Sequence, residues 1–191
     1  MSSHCGTVWL SSGHARYDDS RQVCPSAPLG VEKVKATDSA DGYQSLHIGA
    51  PMYNLFVSGS DEDWEGEPYL IEASRCVREY TDIEITKRLA ELDARAINEL
   101  RSLPCIFAYE SGCNKSPKFG VIRNIAKRQG KVRIEYEIKK VDPFLTDEDM
   151  ASMSFELDIA KWEMNRTHWA VKDVNLPKEL SAREISLPGW E

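Results

Sequence analysis

The chain has 191 residues, 41% of them hydrophobic and 29% charged, with a net charge of −7. That length suits one domain or one domain plus a tail, and that composition supports a packed core without staples. An acidic chain with a pI near 5.2 excludes charge-driven nucleic-acid binding by the whole molecule and leaves room only for a local patch. The most apolar stretch, Leu103 to Tyr109, is strand-sized, so no membrane-spanning segment and no membrane partner are expected. The N-terminus lacks a basic segment followed by an apolar one, so no secretory signal is read. The five cysteines are odd in number and irregularly spaced, which fits free, mostly buried thiols in a reducing, cytoplasmic setting. The sequon at Asn165 to Thr167 is idle there.

Residues 1–51 are rich in Ser, Gly and Asp and lack apolar periodicity, which predicts a poorly ordered leader. Met52 opens the structured part and could itself start translation. Residues 52–191 read as a single α+β module. Tyr53 to Val57 reads as a strand. An acidic loop, Ser58 to Glu67, precedes Pro68, and acidic residues before a proline predict a helix from Pro68 to Tyr80. Ile85, Leu89, Leu92, Ala96 and Leu100 recur at steps of four, three, four and four, which predicts one amphipathic helix stopped at Pro104.

Cys105 to Tyr109 reads as a buried strand. Phe119 to Lys127 and Lys131 to Val141 predict a hairpin about Gln129-Gly130. A two-residue turn there sets Ile125 opposite Ile134, Arg123 opposite Tyr136 and Val121 opposite Ile138, placing Arg123 on an otherwise apolar face. Thr146 to Met153 predicts a short helix with Thr146 as its N-cap. Short helical pieces are expected around Ile159–Trp162, Trp169–Val174 and Pro177–Arg183. The expected architecture is two helices, a small antiparallel and barrel-like sheet, then short C-terminal helices.

Lys115 to Lys140 carries nine basic and two acidic residues, a formal charge of +7. It is a candidate anion-binding surface with Tyr136 and Phe119 available to stack bases. A charged outer face of a half-buried sheet, with its charges paired across strands, explains the same pattern. Arg123 is the sharpest residue, because a core-facing arginine needs a partner or a cavity. The acidic loop lacks calcium-hand spacing, and no Cys/His set has zinc-ligand spacing. In Trp162 to Trp169, His168 could pair with Glu163 or Asp173 as an acid/base couple, or the segment could be a core plug.

The runs Trp64–Pro68, Arg75–Thr81, Leu103–Glu110, Lys118–Arg123, Val132–Glu137 and Trp162–Val174 together resemble a module of bacterial proteins that precedes a Toll/interleukin receptor (TIR) domain. The resemblance covers about residues 52–190 and stops where the TIR domain would begin. It implies a sensor that controls an attached or separate effector in anti-phage defence, and it carries over no catalytic residue.

The reading that follows is a non-catalytic recognition module with a protein partner or attached effector domain, and with no cofactor and no metal. Its expected binding residues are Arg123, Arg133, Tyr136, Lys139, Asn165, Arg166 and His168. The alternative is a nucleotide- or nucleic-acid-binding domain, or a small phosphoesterase, that takes a phosphate-bearing ligand on the hairpin and His168. Because the leader shows no pattern able to feed a core, a chain starting at Met52 is expected to melt within a few degrees of the full chain, about 1 kcal/mol or less. Thermal unfolding of the two forms by circular dichroism checks this, and a much larger drop would show that the leader packs.

Overall fold

A computed structural model of the chain describes residues 51–66 and 68–190, so apart from Pro51 the expected leader lies outside the described residues. The chain runs through β1 (Tyr53–Ser58), β2 (Tyr69–Glu72), α1 (Ile83–Leu89), α2 (Ala94–Arg101), β3 (Cys105–Tyr109), β4 (Lys118–Arg128), β5 (Lys131–Ile138), α3 (Asp147–Ser152), β6 (His168–Lys172) and α4 (Leu176–Ser181). The strands form one six-stranded sheet in the order β2-β5-β4-β3-β1-β6. β1 and β3 are parallel and every other neighbour is antiparallel. The α+β class therefore holds, but the sheet is mixed, larger than expected, and open, with β2 and β6 at its edges. No helix among the described residues is long and apolar enough to cross a membrane.

Both faces of the sheet centre are covered. On the first, Phe56, Cys105, Phe107, Trp169 and Val171 pack with Leu89, Ala96 and Leu100 of the helices α1 and α2. On the second, Tyr53, Leu55, Val57, Ile106 and Phe119 pack with Met150 of α3 and with Leu176 and Leu180 of α4. Double coverage explains why every residue of β1 and β3 is buried and why β3 reads as an unbroken apolar run. At the heart of the first face, Phe56 stacks between Phe107 and Trp169, each with ring centroids 5.0 Å away. The Trp169 indole N–H donates to Asn54 Oδ1 at 3.0 Å, and the Asn54 amide donates to the Leu100 carbonyl at 2.9 Å.

Several local expectations are corrected. The segment after Pro68 is edge strand β2 followed by one 3-10 turn, Ala73–Arg75, not a helix to Tyr80. Tyr69 and Ile71 point inward while Leu70 and Glu72 point out, and β5 offers this segment an open edge to pair with. The single amphipathic helix is two helices. Leu92 takes φ +54°, which interrupts the helix, and Asp93 then caps α2 by accepting from the Ala96 N–H. The apolar stripe survives the break: Ile85, Leu89, Leu92, Ala96 and Leu100 are all buried.

The hairpin turns at Gln129-Gly130, both at positive φ, as a two-residue turn requires. Ile125 does face Ile134, but a bulge then intervenes between Ile122 and Asn124. It places Ile122 opposite Tyr136 and Val121 opposite Glu137, and it swings Arg123 out to solvent. No charge is buried there. The expected helical piece at Trp169–Val174 is β6, because β1 presents a free edge that an alternating segment can join. The piece expected at Ile159–Trp162 is a turn leading to a 3-10 turn, Glu163–Asn165.

Gly120 lies on β4 opposite Ile138, against the backbone of β5. A Cβ there would lie 2.3 Å from the Glu137 carbonyl oxygen. Because that atom is backbone inside a sheet, Gly120→Ala is expected to cost about 3 kcal/mol. Urea unfolding measures it, and a loss within about 0.5 kcal/mol would mean that the strands separate freely at this point.

Candidate functional site

β6 alternates. Trp169 and Val171 point into the first core, so His168, Ala170 and Lys172 share the other side of the strand. His168 and Lys172 are ionisable, and both are sealed from solvent together with Glu163, at 0%, 2% and 0% exposure. Glu163 Oε2 accepts from the Lys172 ammonium at 2.9 Å and from the Ala160 backbone N–H at 2.7 Å. Its Oε1 lies 3.1 Å from His168 Nε2. His168 Nδ1 lies 2.7 Å from the Arg166 carbonyl, which can only accept, so Nδ1 carries a proton. Lys172 also donates to the Tyr80 carbonyl at 2.9 Å, and the Tyr80 ring lies 4.9 Å from the imidazole. The nearby Tyr53 hydroxyl is pushed well above its ordinary range by burial and then by Glu163, and it donates to the Leu157 carbonyl at 2.7 Å.

Both ring nitrogens of His168 are thus engaged and the ring is closed to solvent. In this arrangement the trio ties elements together, and no substrate atom has room to meet it. Two backbone features depend on the tie. Tyr80 is held at φ +55°, which suits the carbonyl contact with Lys172. Trp162 is held at φ +70°, so that Glu163 turns inward while the indole turns out, 69% exposed. Each such non-glycine conformation costs about 1 kcal/mol or more and persists only where its neighbours enforce it.

The expected binding residues fall in two places. On the hairpin, Arg123 and Lys139 both pair with Glu137, and Arg133 pairs with Glu135 at 2.6 Å. Lys118, Lys127 and Lys131 face Glu65, Glu91 and Glu72 at 2.9, 3.9 and 3.7 Å. Phe119 is buried, and the half-buried Tyr136 packs its ring against the first core. Tyr136 lies 5.0 Å from Phe107 and 5.5 Å from Trp64, and Phe119 packs against Phe144 and Trp190. The Tyr136 hydroxyl accepts from the Gly66 N–H at 3.1 Å.

Asn165, Arg166 and His168 lie across the sheet from the hairpin. Strands β3 and β1 separate β4 from β6, a span of roughly 14 Å at the usual strand spacing. Arg166 pairs with Glu79 at 2.7 Å. The sequence reading named Glu163 but missed Lys172, because a helix was expected where β6 runs and its pairing with β1, which buries Lys172, was not foreseen.

Trp162 and Asn165 line a groove of about 410 Å³ with Met150, Ala151, Ile159 and Met164. Phe155, 91% exposed, projects from the turn that follows α3, next to the groove-lining Ser154. Two larger clefts of about 620 Å³ lie between α4 and residues 184–190, and beside Met52, α1 and Asp173. Neither is lined by any of the large apolar side chains left exposed among the described residues, which are Leu70, Ile83, Phe155 and Trp162. Among the described residues no His/Cys/Asp/Glu group could hold a metal ion. Cys76 and Cys105 are buried thiols pushed up to about 12 by burial, and the half-buried Cys113 is raised for the same reason, so none is a ready thiolate nucleophile.

No family model matches the chain, nor does any curated protein or any solved structure.

Removing the Glu163 carboxylate strands the Lys172 charge in the interior. Glu163→Ala is therefore expected to lose about 3–5 kcal/mol of stability. Glu163→Ala combined with Lys172→Ala should lose less than the two single changes summed. Urea unfolding of the three variants measures both effects, and strict additivity would dissolve the tie.

Proposed function

We propose that this chain is a non-catalytic recognition module whose working surface is the groove beside Trp162, on the layer formed by α3 and residues 153–165. One observation carries the reading. Trp162 is held outward in a strained backbone conformation while its neighbour Glu163 is locked into the interior. A large indole that could have been buried is instead presented by a rigid support, which is how an interaction anchor is built. Phe155 adds a second exposed aromatic on the same segment.

The phosphate-directed alternative has less support. Its cations Arg123, Arg133 and Lys139 have carboxylate partners, Phe119 is buried, and the half-buried Tyr136 ring packs against Phe107. A module that senses a protein partner agrees with the resemblance to regions that precede TIR effectors, where occupancy of the groove would be passed to an attached or separate effector. Free thiols at Cys76, Cys105 and Cys113 suit work in a reducing, cytoplasmic compartment.

The test is selection from a random displayed-peptide library on the full chain, with counter-selection on a Trp162→Ala, Phe155→Ser double variant. Both side chains are exposed, so the variant is expected to keep its fold, within about 0.5 kcal/mol for Phe155. Recovered peptides should bind the native chain and fail on the variant. Peptides that bind both equally, or no recovered peptide, would defeat the assignment of this surface.

A further inference from the structure

The charge around the groove says what should sit in it. From Asp142 to Ala160 the sequence holds six carboxylates and no lysine or arginine. Asp149 is used internally. It closes a capping box with Thr146, and its other oxygen lies 4.0 Å from Arg183. Asp142, Asp147, Glu148, Glu156 and Asp158 form no ion pair with any described residue. The contrast with the hairpin is physical. There the sheet brings glutamates beside the cations, whereas here like charges are left together on one layer.

Placement joins Asp147, Glu148 and Asp158 to the groove, Glu148 lying three residues before the groove-lining Ala151 on α3. Asp147 lies one helical turn before Ala151, on the same side of α3, and Ala151 lines the groove. Asp158 immediately precedes Ile159, which also lines it. The anchor ring accepts cations as well, since the Lys161 ammonium lies 5.3 Å from the Trp162 ring centroid. An apolar floor with an aromatic wall and an unpaired anionic frame complements a chain that is apolar on one side and cationic on the other.

We propose that the occupant of the groove is a cationic amphipathic peptide segment of a partner protein. Its aliphatic or aromatic side chain sits against Trp162 and Met150, and its Lys or Arg side chains face Asp147, Glu148 and Asp158. This rests on the assignment of the groove as the working surface and adds the chemistry of the partner. The carboxylates steer the approach and select the sign of charge, while the apolar contact with Trp162 holds the bound segment. Binding should therefore weaken as salt screens the frame, because the screening length falls from about 10 Å at 0.1 M to about 3 Å at 1 M.

The experiment uses the full chain and three dye-labelled synthetic peptides of one length and one leucine pattern, whose polar positions are all Lys, all Ser or all Glu. Fluorescence anisotropy gives Kd for the native chain, for Trp162→Ala, and for the exposed-site double variant Glu148→Lys, Asp158→Lys. The Lys peptide is expected to bind the native chain at least about tenfold more tightly than the Ser peptide, a preference of about 1.4 kcal/mol. It should lose that binding with Trp162→Ala, and its preference should shrink or reverse in the charge variant. Equal binding of Lys and Ser peptides, each lost with Trp162→Ala, would overturn the cationic partner and leave the groove standing. Lys-peptide binding that ignores Trp162→Ala would overturn both, as attraction to a diffuse acidic surface. Failure of the Lys peptide to bind at low salt would overturn the cationic partner, while the library selection decides the groove separately.

Discussion

One buried carboxylate organises the edge of this molecule. Glu163 is closed to solvent, and leaving it unpaired there would cost several kcal/mol, so the fold supplies Lys172, His168 and the Ala160 N–H. Those partners come from the edge strand and from the turn before Glu163. Satisfying the charge therefore docks β6 against β1, holds the turn over it, and draws the Tyr80 carbonyl in to accept a hydrogen bond from Lys172. The outward indole of Trp162 is the external consequence of this internal requirement. Strain in the backbone at Trp162 is offset by charge pairing one residue away, so the surface feature and the interior tie are one device.

Charge distribution separates the hairpin from the layer around α3. Opposite charges meet at ion-pair distance both across strands, as Arg123 with Glu137, and along one arm, as Arg133 with Glu135 and Lys139 with Glu137, and this neutralises much of the hairpin. From Asp142 to Ala160 the layer around α3 has no lysine or arginine, with Lys161 following over the Trp162 ring, and it receives little opposite charge from its neighbours in space. A patch is defined by what remains unpaired after folding. By that measure the anionic face is the more distinctive one, although the local charge count of the basic stretch is larger.

Much of the architecture was legible. Apolar runs marked β1 and β3, alternation marked β5, a glycine turn marked the hairpin, and Thr146 marked the start of α3. The failures share a cause. Tyr69–Glu72 and His168–Lys172 became strands because open sheet edges were there to receive them, and propensity over a few residues cannot report that. Arg123 was misplaced by a single bulge residue, since register past a bulge changes the face of every side chain that follows. Trp64, embedded in an acidic loop, is 1% exposed because the loop folds its indole back to donate to the Ala108 carbonyl.

The sequence by itself determined which segments must be buried, because apolar spacing follows the period of the backbone whatever the neighbours are. It also determined the helix caps, the hairpin turn and the sign of charge along each stretch. Only the tertiary structure decided which charges are cancelled, which aromatic rings face inward, and that His168 belongs with Glu163 and Lys172. Those outcomes depend on residues far apart in the chain, such as Glu72 with Lys131 or Trp64 with Tyr136, meeting within a few ångströms. Coulomb and packing energies fall steeply with distance, so a surface takes its character from the neighbours that folding brings to it.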